Sequence, residues 1–235
     1  MRAASPSDES VWIVVPAYRE EPVIGGVVGE LRRRWRHVMV VDDGSPDATG
    51  ERARSAGATV LRHAVNRGQG AAIQTGIDFA LAHGAGFIVT FDSDGQHRPE
   101  DVERLLAPLR EGRAEVALGS RFLGTAAAGM PRLRRALLRL AVWFTRLTSG
   151  ARITDTHNGL RAFTRRAAAR MDVRLDRMAH ASEIVDQVVR SGLPWVEVPV
   201  AVRYTEYSRR KGQPAGAAFR IAFDYVVSRL DGRAR

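Results

Sequence analysis

The sequence contains no cysteine, and this absence excludes several kinds of chemistry. Disulfide frameworks, thiolate zinc sites and cysteine nucleophiles all require a thiol, and none of the 235 residues supplies one. Lysine is nearly absent too, because Lys211 is the only lysine among 36 basic residues. No apolar run approaches the roughly 18 residues that cross a bilayer. Residues 1–10 contain Asp8 and Glu9 but no apolar core, so we expect no secretory signal and a cytoplasmic protein.

The chain is basic and long enough to form a complete hydrophobic core. It has 36 Lys and Arg against 26 Asp and Glu, a formal charge of +10. This charge favours anionic partners, which include nucleic acid, nucleotide phosphates and anionic lipid headgroups, and the sign alone does not choose among them. No repeat, linker or domain boundary is visible, so we expect a flexible tail at 1–10 and one domain at 11–235.

Short β-branched runs alternate with helical patterns through the first half of the chain. Five runs predict buried strands: Val11–Val15, His37–Val41, Ala58–Leu61, Gly86–Phe91 and Glu115–Leu118. Helical periodicity separates them, notably at 70–83 and from Pro99 to about Leu109. The second half predicts helices at 133–147, 181–190 and 217–230 and strands at 160–163 and 196–204. This alternation predicts an α/β fold in which a mostly parallel central sheet carries helices on both faces.

Polar clusters follow the first, second and fourth predicted strands, at 16–20, 42–45 and 92–97. Each cluster alone could be an ordinary turn, but an open parallel sheet binds ligands at these strand ends, where gathered carboxylates repel one another unless a cation is bound. Asp92, Asp94 and Gln96 alternate oxygen ligands and predict Mg²⁺ or Mn²⁺. His97 is a candidate further ligand, although a histidine here is more often a packing residue. Because such a metal shares phosphate oxygens, we expect a nucleoside diphosphate as its companion.

A glycine-containing segment, 66–70, precedes the third helical pattern. Its glycines allow close backbone approach, and the amides of a helix N-terminus favour an anion. The segment lacks the Gly-Lys-Ser/Thr of a P-loop, and no dinucleotide-binding glycine pattern follows the first strand. The sequence therefore gives no support to kinase or dehydrogenase functions.

Five motifs occur in an order that resembles the family 2 inverting glycosyltransferases with the GT-A fold. They are Val-Pro-Ala-Tyr-Arg-Glu at 15–20, Asp-Asp-Gly-Ser-Pro-Asp at 42–47, Asn-x-Gly-x-Gly-Ala at 66–71, Asp-x-Asp-x-Gln-His at 92–97 and Gly-Ser-Arg-Phe at 119–122. Within that family the sequence is similar to the dolichyl-phosphate mannose synthase-like branch, which moves a sugar from a nucleotide to a polyprenyl phosphate. The resemblance covers residues 11–211 and implies a GT-A, Rossmann-like sheet.

The resemblance also implies roles for individual residues. Positions that match the family's nucleotide-sugar site are Pro16, Tyr18, Glu20, Asp42, Asp43, Gly70, Asp92 and Ser120. Asp92, Asp94 and Gln96 match the metal-binding motif, and Arg121, Arg134 and Lys211 match basic residues expected near the acceptor phosphate. Asp155 matches an aspartate by the reacting centre, and with Arg121 it is the expected catalytic residue. Alternatively, Asp155 is a loop carboxylate paired with Arg152 or Arg161.

Three departures from the family pattern bear on these expectations. Arg19 replaces the usual Asn of the first motif, and Leu138 stands where a serine is expected near the acceptor. The C-terminal membrane helices of many relatives have no counterpart here. Two Arg-rich or apolar helical segments, 130–148 and 205–235, are candidates to face the acceptor or the membrane. We therefore expect peripheral contact with the cytoplasmic face of a membrane, aided by a separate membrane-anchored partner protein.

The resemblance implies a metal-dependent transfer from a UDP- or GDP-sugar with inversion at the anomeric carbon. The cation and Arg121 would stabilise the diphosphate leaving group. A phosphate acceptor is already anionic, whereas a hydroxyl acceptor in polysaccharide or glycolipid synthesis would need a base, for which Asp155 is the candidate.

Two functions of other classes stay open on the sequence alone. A nucleotidyltransferase would share the fold, but such enzymes usually carry a glycine-rich phosphate loop after the first strand. A nucleic-acid-binding protein would explain the charge, yet the basic residues are dispersed and no binding motif is present. We therefore expect no nucleic-acid partner.

Overall fold

The computed structural model describes residues 10–123, 153–175 and 179–203. Within these ranges the strands are β1 (Val11–Ala17), β2 (His37–Asp42), β3 (Thr59–Arg62), β4 (Phe87–Thr90), β5 (Val116–Ser120), β6 (Arg161–Thr164) and β7 (Trp195–Pro199). The helices are α1 (Glu21–Arg32), α2 (Thr49–Ser55), α3 (Gln69–Ala82), α4 (Pro99–Arg110), α5 (Arg165–Ala168) and α6 (Ala179–Arg190). None of these helices is long and apolar enough to cross a membrane.

The strands form one sheet in the order β3-β2-β1-β4-β6-β5-β7. β1 lies between β2 and β4 and pairs with both in parallel, and β3 and β7 also join their neighbours in parallel. β6 is the exception, because it runs antiparallel to both β4 and β5. Its first residue, Arg161, therefore pairs with Thr90 at the carboxyl end of β4 and lies at the same edge as the ends of the parallel strands.

Helices cover both faces of the sheet, as the sequence predicts. Along β1, Ile13 and Val15 pack into one apolar cluster with α1, α2 and α4, whereas Trp12 and Val14 pack into a second cluster with α3, α5 and α6. Successive side chains of a strand point to opposite faces, so a continuous apolar run such as β1 is needed when both faces are covered. This arrangement confirms the predicted fold class.

Most predicted elements are present, with ends that differ by a few residues. The strand predicted at 196–204 is too long, because β7 ends at Pro199 and Ala201 then donates its amide to Asp101 Oδ2 (2.9 Å). The apolar alternation continues beyond Pro199, but the chain leaves the sheet and crosses toward His97, which forms an isolated bridge with Val202. The helices predicted at 133–147 and 217–230, and most of the tail at 1–10, lie outside the described residues.

We expect Gly76→Ala to lower the free energy of unfolding by about 1–3 kcal/mol, as overpacked cores typically show. Gly76 lies in α3, and a Cβ atom there would overlap the side chain of Val14 in β1. The matched control is Gly29→Ala in α1, because a Cβ at Gly29 meets nothing within 4 Å. That control should be neutral or gain up to about 1 kcal/mol from helix propensity. Urea denaturation of both variants measures the difference, and equal stability of the two would contradict this packing.

Candidate active site

The carboxyl ends of β1, β2, β4 and β5 meet at one edge of the sheet, where β6 begins. Ala17 at the end of β1 is in register with Asp42 at the end of β2, and Asp43 donates its amide to Ala17 O (2.9 Å). The turn that follows β1 is held against the turn after β2, since Arg19 N donates to Ser45 Oγ (3.1 Å). Topology therefore brings together the polar clusters that the sequence predicts at this edge.

The turn after β1 contains a residue in an unfavourable backbone conformation. Arg19 has φ = 56°, in the left-handed region that asparagine tolerates better than arginine. Asparagine, the residue that the family resemblance leads us to expect here, would adopt this conformation with less strain. The Arg19 guanidinium lies 5.4 Å from the ring centroid of Tyr18, which is 37% exposed. The next residue, Glu20, is buried and donates its amide to Thr49 Oγ1 (2.9 Å).

Asp42 is completely buried at the end of β2. Its Oδ1 accepts the amide of Ser45 (2.9 Å), and its Oδ2 lies 3.6 Å from the Nε atom of Arg62 but has no hydrogen-bond partner. An acceptor without a hydrogen bond on a buried carboxylate is costly, and Gly50 of α2 packs against this oxygen, because a Cβ atom there would come within 2.8 Å of it.

Asp43 holds the glycine-containing segment rather than facing outward. Its Oδ1 accepts from His63 Nδ1 (2.7 Å) and from the amide of Arg67 (2.8 Å), and its Oδ2 accepts from the amide of Gly68 (2.8 Å). The carboxylate is therefore engaged by three donors of the protein. A direct nucleotide contact by Asp43 stays a prediction.

Asp92 follows β4 and is surrounded by cationic and donor side chains. Its Oδ1 accepts from Gln69 Nε2 (3.2 Å), and its Oδ2 accepts from His97 Nε2 (2.9 Å). Burial alone would raise the pKa of Asp92, but the hydrogen bond and charge of His97, with the charges of Arg161 and His180, bring the pKa below its ordinary value. Asp92 is therefore ionised at neutral pH.

Close packing around Asp92 requires a glycine on the neighbouring loop. A Cβ atom at Gly159 would overlap the Asp92 carboxylate, and the carbonyl oxygen of Gly159 accepts a hydrogen bond from Thr90 Oγ1 (2.7 Å). The loop at 153–160 is thereby fixed against the end of β4. Gly70 is constrained in a similar way, because a Cβ there would overlap the carbonyl oxygen of Leu175 and approach His180.

Asp94 is the carboxylate that the protein compensates least. Its Oδ1 accepts the amide of Gln96 (3.0 Å). Burial, followed by the negative charges of Asp92 and, more weakly, Glu20, raises the pKa of Asp94 from 3.8 to about 6. A divalent cation would relieve this repulsion, and carboxylate and amide oxygens are the ligands that Mg²⁺ and Mn²⁺ prefer.

The residues present could supply only some of the ligands of such a metal. Among the described residues, no group of three or more His, Asp or Glu side chains converges on a common point. Asp94, Asp92 and the side-chain amide oxygen of Gln96 would leave positions for phosphate oxygens and water, as is usual for Mg²⁺. His97 donates a hydrogen bond to Asp92. In this position His97 would orient the Asp92 carboxylate and would not bind the metal itself.

Arg121 and Asp155 form a buried bidentate ion pair. Arg121 Nε donates to Asp155 Oδ2 (2.7 Å), Arg121 Nη2 donates to Asp155 Oδ1 (2.8 Å), and the Arg121 amide donates to Oδ2 (3.0 Å). Burial raises the pKa of Asp155, but the charge and hydrogen bonds of Arg121 more than offset this and lower the pKa below its ordinary value. The partner of Asp155 is therefore Arg121 and not, within the described residues, Arg161. Arg152 lies outside those residues.

This pairing bears on the candidate role of Asp155 as the base for a hydroxyl acceptor. Both of its oxygens accept hydrogen bonds from Arg121, and a carboxylate with a lowered pKa is a weak proton acceptor near neutral pH. In the structure Asp155 orients the Arg121 guanidinium and balances its charge, and its catalytic role stays a prediction.

A second network fixes the loop that carries Asp155. Ser120 Oγ lies 2.6 Å from Thr154 Oγ1, and Glu197 of β7 accepts from the Thr154 amide (2.8 Å) and hydroxyl (2.8 Å). Ser120 is completely buried, so its hydroxyl serves this loop in the structure. Its predicted contact with the nucleotide sugar stays a prediction.

Several residues of the site are absent from the sequence-based assignment of roles. Arg161 is buried at the start of β6, where burial lowers its pKa to about 10 although the carboxylates of Asp92 and Asp155 act in the opposite direction. Thr156 Oγ1, Asn158 Nδ2 and Arg161 Nη1 are buried without hydrogen-bond partners, a condition that a bound ligand or ordered water relieves. Asn158 and Arg161 are near Asp155 in the sequence, whereas nothing in the sequence marks His180. Arg134 and Lys211 lie outside the described residues.

Comparisons with known proteins relate the chain to a described family. A family model described as glycosyl transferase family 2 matches residues 12–171. The chain is 31% identical over 238 residues to the polyprenol monophosphomannose synthase of Mycolicibacterium smegmatis, which covers 95% of this chain and 89% of that relative. It is 29% identical over 245 residues to a UDP-N-acetylglucosamine–dolichyl-phosphate N-acetylglucosaminyltransferase of Methanococcus voltae, which covers 95% and 98%.

A solved structure shows the same fold. It is the glucosyl-3-phosphoglycerate synthase of Mycobacterium tuberculosis in complex with Mn²⁺, uridine-diphosphate-glucose and phosphoglyceric acid, with a TM-score of 0.70. The two chains are 20% identical, and the match covers 95% of this chain and 79% of that one. At this identity the likeness concerns the fold alone, and it supports the α/β architecture expected from the sequence.

We expect Asp155→Asn to destabilise the protein by about 3–5 kcal/mol at neutral pH, because it leaves the buried Arg121 charge without a partner. Because the pKa of Asp155 is lowered, the pair stabilises the fold above pH 3.8 and loses this contribution as the pH falls through the folded-state pKa. The double variant Arg121→Met with Asp155→Asn should recover part of the loss. Urea denaturation of the single and double variants measures the coupling, and additive losses would contradict it.

We expect Asp94→Asn, unlike Asp155→Asn, to stabilise the metal-free protein against unfolding. Because folding raises the pKa of Asp94 from 3.8 to about 6, its ionisation costs stability; the cost is absent below pH 3.8 and complete above pH 6. Asparagine can still accept the Gln96 amide, so we expect a gain on the order of 1–2 kcal/mol at pH 7.5. Thermal melting in chelator at pH 7.5 and pH 4 checks this. A destabilised Asp94→Asn variant at pH 7.5 would show that the charge is compensated.

Proposed function

The chain belongs to glycosyl transferase family 2, and from this premise we propose that it transfers a sugar from a nucleoside-diphosphate donor to a polyprenyl phosphate. The observation that carries the choice of acceptor is the similarity, over 95% of this chain, to two relatives named for transfer to polyprenol or dolichyl phosphate. The structure supports this choice of acceptor. Asp155, the candidate base for a hydroxyl acceptor, is already paired with Arg121, whereas a phosphate acceptor needs no base.

The donor would bind at the edge formed by β1, β2 and β4. Tyr18 lies in the turn after β1, and Asp42 ends the adjacent strand β2, where its Oδ2 accepts no hydrogen bond and lies 3.6 Å from Arg62 Nε. We assign Pro16, Tyr18, Glu20 and Asp42 to the base and ribose. Gly70 is the second residue of α3, and the backbone amides at the N-terminus of this helix favour the diphosphate. Either uracil or guanine is compatible with this assignment.

Asp94 and Gln96, with Asp92 beside them, would hold a divalent cation. When bound, Mg²⁺ or Mn²⁺ supplies positive charge that stabilises the diphosphate leaving group. The side chains of this protein prepare that position: His97 and Gln69 fix the two oxygens of Asp92, and Asp94 carries the charge that is left uncompensated.

The acceptor half of the reaction favours a phosphate nucleophile. A hydroxyl acceptor needs a base to remove its proton, whereas a polyprenyl phosphate is already anionic and needs to be positioned. Asp155 is engaged by Arg121 through both oxygens, and its lowered pKa makes it a poor base. Arg121, held rigidly by Asp155, is suited to orient phosphate oxygens. The attack would come in line with the departing diphosphate and invert the anomeric configuration.

Membrane contact belongs to the same proposal. The lipid tail of the acceptor stays in the bilayer, so the enzyme would work at the cytoplasmic face as a peripheral protein. The segments assigned to this contact, 130–148 and 205–235, and the phosphate-binding Arg134 and Lys211 lie outside the described residues. A membrane-anchored partner protein would strengthen the contact.

The test is transfer of labelled sugar from a panel of UDP- and GDP-sugars to undecaprenyl or dolichyl phosphate in detergent, with Mn²⁺ or with chelator. We expect metal-dependent transfer to the lipid phosphate for one donor, and a loss of at least about a hundredfold in Asp94→Ala, because one group that stabilises developing charge typically contributes this much. Arg113→Ala is the matched control, since Arg113 forms an exposed ion pair with Glu111 just before β5, whose opposite, carboxyl end lies at the site.

Two results would overturn the proposal. Full transfer by Asp94→Ala in chelator would remove the metal from the reaction. Efficient transfer to a soluble sugar hydroxyl with none to lipid phosphate would replace the acceptor class and make the enzyme a transferase of polysaccharide or glycolipid synthesis.

A further inference from the structure

A hydrogen-bonded chain runs from Thr75 of α3 through His63 and Asp43 to the metal-binding edge, which His63 itself does not touch. His63 follows β3, and only 9% of its side chain is exposed. Its two ring nitrogens contact Asp43 Oδ1 (2.7 Å) and Thr75 Oγ1 (3.0 Å). Because an ionised carboxylate only accepts hydrogen bonds, His63 Nδ1 carries the proton. In the neutral ring Nε2 is then the acceptor for the Thr75 hydroxyl.

Asp43 passes this constraint to the segment at 66–69. The oxygen that accepts from His63 also accepts from the Arg67 amide, and the second oxygen accepts from the Gly68 amide. The turn at Asp43 approaches the segment closely, because a Cβ atom at Gly44 would come within 2.9 Å of the Asn66 nitrogen. The position of the segment is therefore set by the orientation of one carboxylate.

The segment ends at a residue that contacts the metal-binding edge. Gln69 is the first residue of α3, and its Nε2 donates to Asp92 Oδ1 (3.2 Å). A rotation of Asp43 would release the Arg67 and Gly68 amides and move Gln69 relative to Asp92. Three successive hydrogen-bonded contacts thus connect His63 to Asp92: His63 to Asp43, Asp43 to the amides of 67–68, and Gln69 to Asp92.

We propose that His63 is a positioning residue for the metal-bound nucleotide: with Thr75 it fixes Asp43, which holds the 66–69 segment and keeps Gln69 on Asp92. The inference rests on the proposed function, because it assigns His63 to the donor half of that reaction. In this inference Asp43 organises the segment, because its carboxylate already accepts hydrogen bonds from three donors of the protein.

Variants of His63 separate the two ring nitrogens. The side-chain amide of asparagine can occupy the position of Nδ1, so His63→Asn keeps a donor for Asp43 and loses the contact with Thr75. His63→Ala loses both. His83→Ala is the matched control, because His83 is an exposed histidine at the end of α3 whose Nδ1 contacts Phe79 O (2.7 Å), away from the edge.

The first measurement is hydrogen exchange of the Arg67 and Gly68 amides, which needs no ligand. We expect exchange in His63→Ala to be at least about tenfold faster than in the unmodified protein, the change that loss of a charge-assisted hydrogen bond typically produces. His63→Asn and His83→Ala should stay near the unmodified rate. Unchanged protection in His63→Ala, measured with the fold intact by circular dichroism, overturns the inference whether or not the proposed function holds.

The second measurement is Mn²⁺ binding in the presence of UDP or of GDP, followed by the electron paramagnetic resonance signal of free Mn²⁺. We expect the dissociation constant to rise about tenfold in His63→Ala and to be largely restored in His63→Asn. Faster amide exchange with unchanged Mn²⁺ affinity would make the role purely structural and overturn the inference. Failure of the unmodified protein to bind Mn²⁺ with either nucleotide would instead overturn the proposed function, while the exchange measurement still decides the hydrogen-bonded chain.

Discussion

Carboxylates crowded along one edge of the sheet must be neutralised, and the site is organised around this requirement. Asp42 is bonded to the Ser45 amide and lies near Arg62, Asp43 accepts three donors, Asp92 has His97 and Gln69, and Asp155 has Arg121. Asp94 accepts one backbone amide and carries a pKa raised to about 6. The protein thus compensates four carboxylates and leaves at the fifth a negative charge that a cation can balance.

Two buried arginines, Arg121 and Arg161, balance the charge of carboxylates at the same edge. Arg161 lies at the start of β6, where the charges of Asp92 and Asp155 both favour its protonated form. Arg121 is paired with Asp155 in a bidentate geometry that fixes the plane of its guanidinium. A fixed guanidinium suits recognition of a phosphate, whereas a paired carboxylate does not suit removal of a proton. This pairing is the structural observation on which the proposal of a phosphate acceptor rests.

Rigidity comes from close backbone contacts at this edge as well as from charge. Gly159 packs directly on the Asp92 carboxylate, and Glu197 of β7 holds the loop that carries Asp155. Arg19 keeps an unfavourable left-handed conformation because the turn around it is fixed by the hydrogen bond to Ser45 Oγ. Such strain persists where the surroundings determine the backbone, and it is common at functional sites.

The sequence by itself determined the elements, the edge and the family. Apolar runs and helical periodicity are local, so they predict β1 to β5, the helices between them and the polar clusters at 16–20, 42–45 and 92–97. The ordered motifs identify the family because each is contiguous in the chain. The length of β7 was predicted wrongly, since alternation continues through Val202 after the chain leaves the sheet.

Only the tertiary structure decided the partners of the charged groups. Arg121 and Asp155 are 34 residues apart, and Asp43 and Gly68 are 25 apart. Local patterns carry no information about such pairs, because a contact across the sheet depends on strand order and on the direction of β6. The antiparallel placement of β6 brings Arg161 to Asp92 and the 153–160 loop to β5. The sequence suggested Arg152 or Arg161 as an alternative partner of Asp155, and only the tertiary structure showed that the partner is Arg121.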